Sequence, residues 1–363
     1  MTKEELFTLV IPEPDKEAQK AAKERFDSMA KPLDGLGTFE DMICRIAAVQ
    51  GKVMPDISKR ALVIMCADNG VVAEGVSQTG PEVTAKVAAL MAENASSAGI
   101  MAQHMSVDII PVDVGIDSDE VIPGLINRKI RKGTGNIAHA RAMSEDECLS
   151  AIGVGIDIAA DCRKKGIKLI ATGEMGIGNT TTATALLCAL TGSAVSEVVG
   201  RGAGLCDEGL ERKTCVIERA LKTHDKLNNT CKITPSKQRV LDAVGSLGGL
   251  DIAAIAGVYI GSAMHGITTV VDGLISAVSA LAAEYICPGV KRYMLASHRG
   301  REKGCELALK PLGLKSVLDA DMALGEGTGA IMLFPLLDMV MSLYRDGTSF
   351  ADTDIQKYER FDV

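Results

Sequence analysis

The sequence has no tryptophan, and aromatic residues make up only 3% of its 363 residues. Proteins that bind single-stranded nucleic acid stack the bases on aromatic side chains, and nucleic-acid-binding domains usually carry a basic face. The formal net charge of this chain is -8. These shortages exclude nucleic acid as an expected partner. They also predict a core built mainly from Ala, Val, Ile, Leu and Met.

The sequence also lacks metal-ligand spacings, an apolar leader and a long apolar run. None of its ten cysteines forms a C-x-x-C pair, and its five histidines form no H-x-x-H group. Charged residues are spread through the first twenty positions, which leaves no apolar signal core. Asp272 and Asp338 interrupt the longest apolar runs. We therefore expect reduced, buried thiols, no metal, no cofactor, no membrane contact and a cytoplasmic location.

Short apolar runs that alternate with helical segments are the main pattern that is present. Five runs end in a polar residue or a glycine-rich loop, at 61–70, 107–115, 167–176, 267–273 and 292–298. Intervening segments, among them 81–105 and 180–192, have the composition and spacing of helices. This alternation predicts a Rossmann-like α/β fold, in which a parallel sheet carries helices on both faces.

Ligands of parallel sheets bind beyond the carboxyl ends of the strands. Polar side chains that end the predicted strands are therefore expected to gather on one rim of the sheet: Asp68, Asp113, Glu174, Asp272 and His298. The polar segment 222–240 is expected to be a surface excursion.

The strongest local signal is the glycine-rich loop TGEMGIGNTTTA at 172–183, between a predicted strand and a predicted helix. Three glycines allow the backbone to approach a ligand closely, and two polar residues can cap the helix: Gly173, Gly176, Gly178, Asn179 and Thr180. A helix N-terminus favours a phosphate, and without Walker A or G-x-G-x-x-G spacing a monophosphate fits best. An ordinary capped turn explains the pattern equally well.

Two further loops could carry chemistry. The glycine cluster at 199–213 ends in Lys213, which could reach an anion, although a solvated lysine is the commoner case. In ALGEGTGA (323–330), Glu326 stands between two glycines, so a ligand has open access to its carboxylate. On this pattern alone, a glutamate that merely favours a helix N-terminus is the better explanation.

Nine motifs, in register from about residue 20 to the end, resemble the nicotinate-nucleotide–dimethylbenzimidazole phosphoribosyltransferase family. They are KPLDGLG (31–37), DNGVVAEGVS (68–77), VDVGID (112–117), GEMGIGNTTTA (173–183), GRGAG (200–204), GGLDIAAIAGVYIG (248–261), DGLISAVSALAA (272–283), SHR (297–299) and LGEGTGA (324–330).

The resemblance implies an architecture and a reaction. Residues 51–334 would form a large α/β domain with the active site, and 1–50 with 335–363 a small helical domain. Members of the family are dimers. They transfer the ribose phosphate of nicotinate mononucleotide to an aromatic base, with inversion to an α-linked nucleotide and release of nicotinate, in the assembly of the cobamide lower ligand.

The resemblance also implies roles for particular residues. It places the catalytic base on Glu326, and the aromatic acceptor between Met175 and Leu324. It places the phosphate and ribose contacts on seven residues: Glu174, Gly176, Asn179, Thr180, Gly202, Lys213 and Ser297.

The segment 76–90 departs from the family pattern. Many members that use dimethylbenzimidazole carry polar side chains at the positions of Gly80 and Ala88, whereas both residues here offer no hydrogen bond. A benzimidazole acceptor with a changed loop, and a phenol or p-cresol acceptor that gives an O-linked ribotide, are therefore both open. A phenol-using subgroup pairs with a paralogous subunit, so the dimer is either a homodimer or a heterodimer. A non-catalytic partner subunit is a further alternative, although retention of Glu326 argues against it.

Overall fold

The computed structural model describes residues 1–227 and 235–360. Its main sheet has six parallel strands: β1 (Arg60–Ala67), β2 (Asp108–Gly115), β3 (Ile126–Asn127), β4 (Leu169–Met175), β5 (Thr268–Val271) and β6 (Met294–Ala296). The spatial order is β3-β2-β1-β4-β5-β6, the doubly wound order in which the topology reverses between β1 and β4. All five predicted strands are confirmed.

Two features of the strands go beyond the sequence pattern. The two-residue strand β3 extends one edge of the main sheet. A second parallel pair joins β7 (His298–Gly300) to β8 (Leu318–Met322). The apolar run that contains β6 therefore ends at Ala296, and the chain then enters a different sheet.

Fourteen α-helices surround the main sheet within the described residues. They are α1 (Lys3–Thr8), α2 (Lys16–Ser28), α3 (Thr38–Gln50), α4 (Glu82–Ala92), α5 (Ser97–His104), α6 (Glu145–Lys164), α7 (Asn179–Thr191), α8 (Val195–Val198), α9 (Asp207–Thr223), α10 (Lys237–Leu247), α11 (Leu250–Met264), α12 (Leu274–Ile286), α13 (Gly304–Leu312) and α14 (Thr328–Asp346).

Both faces of the sheet are covered by helices, as predicted. Every residue of β1 is buried, and successive side chains of a strand point to opposite faces. Val63 and Met65 belong to a core shared with α6, α7, α10, α11 and α12, whereas Leu62 and Ile64 belong to a core shared with α3, α4, α5 and α14. The helical layers therefore hold the sheet rigidly beneath its loops.

The two chain ends contact each other on the second face. Nε of Arg25 in α2 donates to the carbonyl of Tyr344 in α14 at 2.9 Å, and the ring of Phe26 packs 4.5 Å from that of Tyr344. The buried Glu40 carboxylate accepts hydrogen bonds from Lys31 and Lys23. The division into a domain of 1–50 with 335–363 and another of 51–334 stays a prediction.

The segment 81–105 is helical, as predicted, and forms two helices, α4 and α5. Asn94 adopts a left-handed backbone, with φ of 57°, between α4 and α5. Ser96 then caps α5, because its hydroxyl accepts the N–H of Gly99 at 3.1 Å. The break creates a second helix N-terminus beside the sheet.

Other expectations concern the cysteines and the surface. Nine cysteines lie in the described residues, where all are free and seven are buried; Cys231 lies outside them. The expected excursion at 222–240 falls partly outside the described residues, since 228–234 are not among them. None of the helices that the structure describes has the length and apolar character to cross a membrane.

Candidate active site

A cavity of about 300 Å³ opens beyond the carboxyl ends of β4 and β5. Its wall is built from the loops after β1, β4 and β5, the 201–205 loop, and the segments that flank β7 and β8. Eight of the predicted site residues line it: Glu174, Met175, Gly176, Asn179, Thr180, Gly202, Leu324 and Glu326. Segments that lie far apart in the sequence, from Val76 to Thr328, thus meet where the topology predicts a ligand.

The structure does not bring the other four predicted residues to the cavity wall. Lys213 lies behind Thr180, and Ser297 lies behind His298. Ala88 is a residue of α4 whose side chain is fully buried in the core, and the neighbouring Val87 lines the cavity instead. Gly80 is half-buried outside the wall, so the predicted acceptor contacts of Gly80 and Ala88 remain predictions.

The expected rim of strand-end residues is only partly formed. Glu174, Asp272 and His298 line the cavity. Asp113 instead closes the turn after β2, where its carboxylate accepts two backbone N–H groups. Asp68 accepts the N–H of Asp117 at 2.8 Å. Both of these carboxylates therefore hold the loop that follows β2, away from the cavity.

Glu326 stands in a strained backbone conformation. Its φ is 61°, a left-handed value that is uncommon outside glycine, and its neighbours Gly325 and Gly327 also have positive φ. Its Oε2 accepts the N–H of Ala98, in the first turn of α5, at 2.9 Å. The break between α4 and α5 therefore supplies the helix N-terminus that orients this carboxylate.

Close backbone contacts hold the Glu326 loop against β4. A Cβ on Gly173 would lie 2.5 Å from the carbonyl oxygen of Glu326, and one on Gly325 would lie 2.7 Å from Oε1 of Glu174. A Cβ on Gly327 would lie 2.4 Å from the side chain of Leu62. These glycines allow the loop to rest on the sheet, so Glu326 has little freedom to move.

The glycines of 172–183 serve protein packing, which differs from the predicted approach to a ligand. A Cβ on Gly176 would lie 2.3 Å from the carbonyl of Ala67, and one on Gly178 would lie 2.8 Å from Val72. Both clashes are with the β1 strand or the loop that follows it. A side chain at Gly176 would therefore first separate β4 from β1, and the predicted approach of this backbone to a ligand stays a prediction.

Glu174 is a half-buried carboxyl group beside the Glu326 loop. Asn179 donates from Nδ2 to its Oε2. Burial raises the pKa of Glu174 to about 8, the Asn179 hydrogen bond opposes this, and the charges of Asp251, Asp272 and Glu326 add to it. This raised pKa favours the protonated form of Glu174 at neutral pH.

Glu174→Gln is expected to stabilise the substrate-free protein at alkaline pH. The pKa of Glu174 rises from 4.5 to about 8 on folding, so the folded state retains a proton that the unfolded chain releases over that range. The residue therefore lowers the free energy of unfolding progressively as the pH rises through this window. We expect the variant to gain about 1–3 kcal/mol at about pH 9 and little at about pH 4.

Denaturant unfolding at several pH values measures this gain, and Glu93→Gln is the control at an exposed glutamate. A gain that did not depend on pH would contradict the assignment of the proton to Glu174.

Asp272 and His298 form a second polar pair in the wall. The Asp272 carboxylate lies 3.8 Å from Nδ1 of His298 and accepts the N–H of Ala330 at 3.0 Å. Burial raises the pKa of Asp272, and the adjacent imidazole opposes this shift. The Ser297 hydroxyl donates to the carbonyl of Val271 at 2.7 Å and lies 3.0 Å from Nδ1 of His298. Ser297 therefore lies behind the wall, where its hydroxyl contacts the His298 ring and the end of β5.

Lys213 is fully buried in α9 behind the N-terminus of α7. Its ammonium donates to the Thr180 hydroxyl at 2.9 Å and to the carbonyl of Gly200 at 3.0 Å. Burial lowers the pKa of Lys213 to about 8, and the charge of Glu302 opposes this. A buried cation held mainly by neutral oxygens, next to a helix N-terminus, provides a positive region suited to an anion.

Sequence reasoning missed several wall residues: Gln78, Arg201, Arg301 and Glu302. Glu302 accepts the N–H of Gly202 at 2.8 Å, and Gln78 donates to the carbonyl of Gly204, so both fix the 201–205 loop. The REKG run after SHR and the GRGAG cluster contain three of them, but nothing in their local pattern separates them from solvated residues.

Comparison with known proteins identifies relatives over nearly the whole chain. Residues 11–355 match a family described as Phosphoribosyltransferase. The nicotinate-nucleotide–dimethylbenzimidazole phosphoribosyltransferase of Acetivibrio thermocellus is 42% identical over 344 residues, which cover 95% of each chain. The enzyme of the same name from Ruminiclostridium cellulolyticum is 38% identical over 94% of this chain and 95% of its own. The crystal structure of CobT from Thermus thermophilus has a TM-score of 0.86 and 36% identity, and the match covers 94% of this chain and 100% of that one.

Proposed function

This chain belongs to the nicotinate-nucleotide–dimethylbenzimidazole phosphoribosyltransferase family, and we propose that it transfers the ribose phosphate of nicotinate mononucleotide to an aromatic acceptor, with Glu326 as the base. The family makes it a glycosyltransferase. The observation that carries the assignment of the base is the strained Glu326, held in one cavity with the N-terminus of α7.

The phosphate is proposed to bind where α7 begins. Gly178, Asn179 and Thr180 line the cavity at that helix start, and the first N–H groups of a helix have no partner within it. Lys213 adds a positive charge behind Thr180. Gly202, with φ of 55°, brings the 201–205 loop within reach of the same two side chains.

Lys213→Met is expected to raise the KM for nicotinate mononucleotide about 10- to 100-fold and to lower kcat much less, since the positive charge behind Thr180 that favours the phosphate is lost. Because burial lowers the pKa of Lys213 to about 8, the wild-type KM should also rise as the pH passes that value, and the variant should lack this rise. Initial rates of nicotinate release across the pH range measure both effects. Lys222→Met, an exposed position on the same helix, is the control. An unchanged KM for Lys213→Met would remove Lys213 from the phosphate site.

The proposed chemistry needs one proton acceptor. The nicotinate ring of the substrate is already cationic at its glycosidic nitrogen, so it leaves without being protonated. The acceptor attacks the anomeric carbon from the opposite side, which inverts the configuration from β to α, and loses one proton to Glu326. A protonated Glu174 beside this site avoids a second negative charge next to the base.

The acceptor is proposed to lie against the apolar part of the wall. Met175 and Leu324 line the cavity together with Val76 and Val87, and 54% of Leu324 is exposed. An aromatic ring that covered these side chains would gain hydrophobic stabilisation. The named relatives imply 5,6-dimethylbenzimidazole as the first acceptor to test. Phenol and p-cresol form the second candidate, because the sequence departs at Gly80 and Ala88 from many members that use dimethylbenzimidazole.

The test is nicotinate release from nicotinate mononucleotide, with dimethylbenzimidazole and phenol supplied separately and a reaction without acceptor as the control. Acceptor-dependent release with dimethylbenzimidazole alone supports the reaction and removes the phenol candidate. Release with phenol supports the interpretation of Gly80 and Ala88. If neither acceptor gives release, the proposed function of the isolated chain is wrong.

The same assay addresses assembly. We propose a dimer, either of two copies or with a paralogous subunit. Sedimentation of the purified chain, combined with its activity alone, separates these cases. A chain that binds nicotinate mononucleotide but turns over only with a paralogue would instead be one half of a heterodimer, and one that never turns over would be a non-catalytic partner.

A further inference from the structure

Asp251 is a fully buried carboxylate that lies behind the cavity wall. It stands in the first turn of α11 and has no exposed surface. It is not part of the cavity lining, so it cannot touch a bound substrate in this conformation. Its Oδ2 accepts the Nδ2 group of Asn179 at 3.0 Å. The same Nδ2 group donates to Oε2 of Glu174, so one amide nitrogen bridges two carboxyl groups.

This bridge fixes the direction of the Asn179 amide. An amide nitrogen has two hydrogens, and here each of them has a carboxyl acceptor. Without Asp251, only Glu174 would hold the amide, which could then rotate and turn its oxygen toward Glu174. A Cβ on Gly176 would lie 2.9 Å from Oδ2 of Asp251, so this carboxylate also packs against the underside of the 176–179 turn.

Burial of the Asp251 carboxylate is unfavourable by itself, so its hydrogen bonds must offset the lost hydration. Burial raises the pKa of Asp251 to about 6, and hydrogen bonds from Asn179 and from backbone N–H groups at the start of α11 oppose this shift. Oδ1 of Asp251 and Oδ1 of Asn69 lie 2.2 Å and 2.6 Å, respectively, from the place where a Cβ on Gly249 would stand, so two acceptors converge there. Burying a carboxylate is costly, and the side-chain hydrogen bond from Asn179 offsets part of that cost in addition to the backbone N–H groups of the helix start.

We propose that Asp251 is a positioning residue for the transfer reaction, which holds the Asn179 amide so that it orients the Glu174 carboxyl in the cavity wall. The inference rests on the proposed function, because it assumes that this cavity is the site of transfer. The charged groups around Glu174 come from three elements: Asp251 from α11, Asp272 from the end of β5, and Glu326 from the loop before α14. Of these, Asp251 alone shares a hydrogen-bond donor with Glu174 among the contacts that the structure describes.

Two variants separate the position of the amide from the charge. Asp251→Asn keeps an oxygen that can accept from Asn179 and adds an N–H that can donate to Asn69, but it removes the charge. Asp251→Ala removes the acceptor. We expect kcat to fall about 10- to 100-fold in the Ala variant and to stay within about threefold of wild type in the Asn variant. Glu208→Ala, an exposed acidic residue in the first turn of α9, is the control for a lost helix-terminal charge.

A second readout does not depend on activity. The charge of Asp251 raises the pKa of Glu174, so its removal should let Glu174 ionise at lower pH. In the Asp251→Asn background, the stability gained by Glu174→Gln should therefore be smaller and should reach its full size at a lower pH. This comparison needs only the free protein, so it remains informative if Asp251→Ala fails to fold or if wild type releases no nicotinate.

The outcomes are distinct. Rescue by Asn together with the shifted pH dependence supports the proposal. Full activity in the Ala variant, equal damage in both variants, or an identical pH dependence in both backgrounds overturns it. An inactive wild type with a shifted pH dependence would overturn the proposed function of the site, while the contact between Asp251, Asn179 and Glu174 would stand.

Discussion

Glu326→Gln is expected to lower kcat by about 10²- to 10⁴-fold and to leave the Kd of nicotinate mononucleotide within about threefold of wild type. Glutamine has the same size, and its amide oxygen can still accept the N–H of Ala98 that orients the glutamate at 2.9 Å. The positive φ of the position is retained, so any strain is common to both proteins. The change therefore removes the proton acceptor and little else.

The measurements are calorimetric binding of nicotinate mononucleotide and the rate of nicotinate release with an accepted base. Asp321→Asn is a matched control, since Asp321 is also a non-glycine carboxylate at positive φ but lies outside the cavity wall. An acceptor that is already ionised at the assay pH should restore part of the variant's rate, because it needs no base. Near-full activity of Glu326→Gln with a neutral acceptor would show that another group removes the proton.

The sequence predicts the sheet well because its strands are buried on both faces. A strand such as β1, whose eight residues are all buried, must be apolar throughout, and this continuous pattern is hard to mistake. The break between α4 and α5 has no such signal. Small and apolar residues run through it, and it depends on a left-handed Asn94 and on the cap of Ser96. Yet this break supplies the N–H group that binds Glu326.

The sequence predicts the site residues that lie in glycine-rich segments. It does not predict those that lie behind the cavity wall and support it. Glu174 near the end of β4, Asn179 at the start of α7 and Glu326 all lie beside glycines of the segments 172–183 and 323–330, and they reach the cavity. Asp251 begins a long apolar helix, where an acidic residue is usually explained by the helix dipole. Its contact with Asn179 joins residues 72 positions apart, and no local pattern encodes it. Long-range packing therefore decides which polar residues support the site.

The glycines illustrate the same limit. A glycine-rich loop before a helix indicates close approach, but the sequence does not say what approaches. In this structure the atoms nearest to a Cβ on Gly173 are backbone atoms of Glu326, at 2.5 Å and 2.8 Å. The base is thus held by contact between two backbones that are about 150 residues apart in the chain. A single methyl group at Gly173 should therefore be enough to displace Glu326.

Gly173→Ala is accordingly expected to lower kcat by about 10²-fold, and the free energy of unfolding by about 1–3 kcal/mol. Gly173 has no positive φ, so the change adds no backbone strain of its own and acts only by displacing Glu326 and Gly327. Gly300→Ala is the matched control: Gly300 is also a strand glycine in the cavity wall, but the nearest atoms to its Cβ lie 3.8 Å and 3.9 Å away. Nicotinate release and denaturant unfolding of both variants measure the difference. If the two alanine variants behaved alike, the contact between β4 and the Glu326 loop would not set the position of the base.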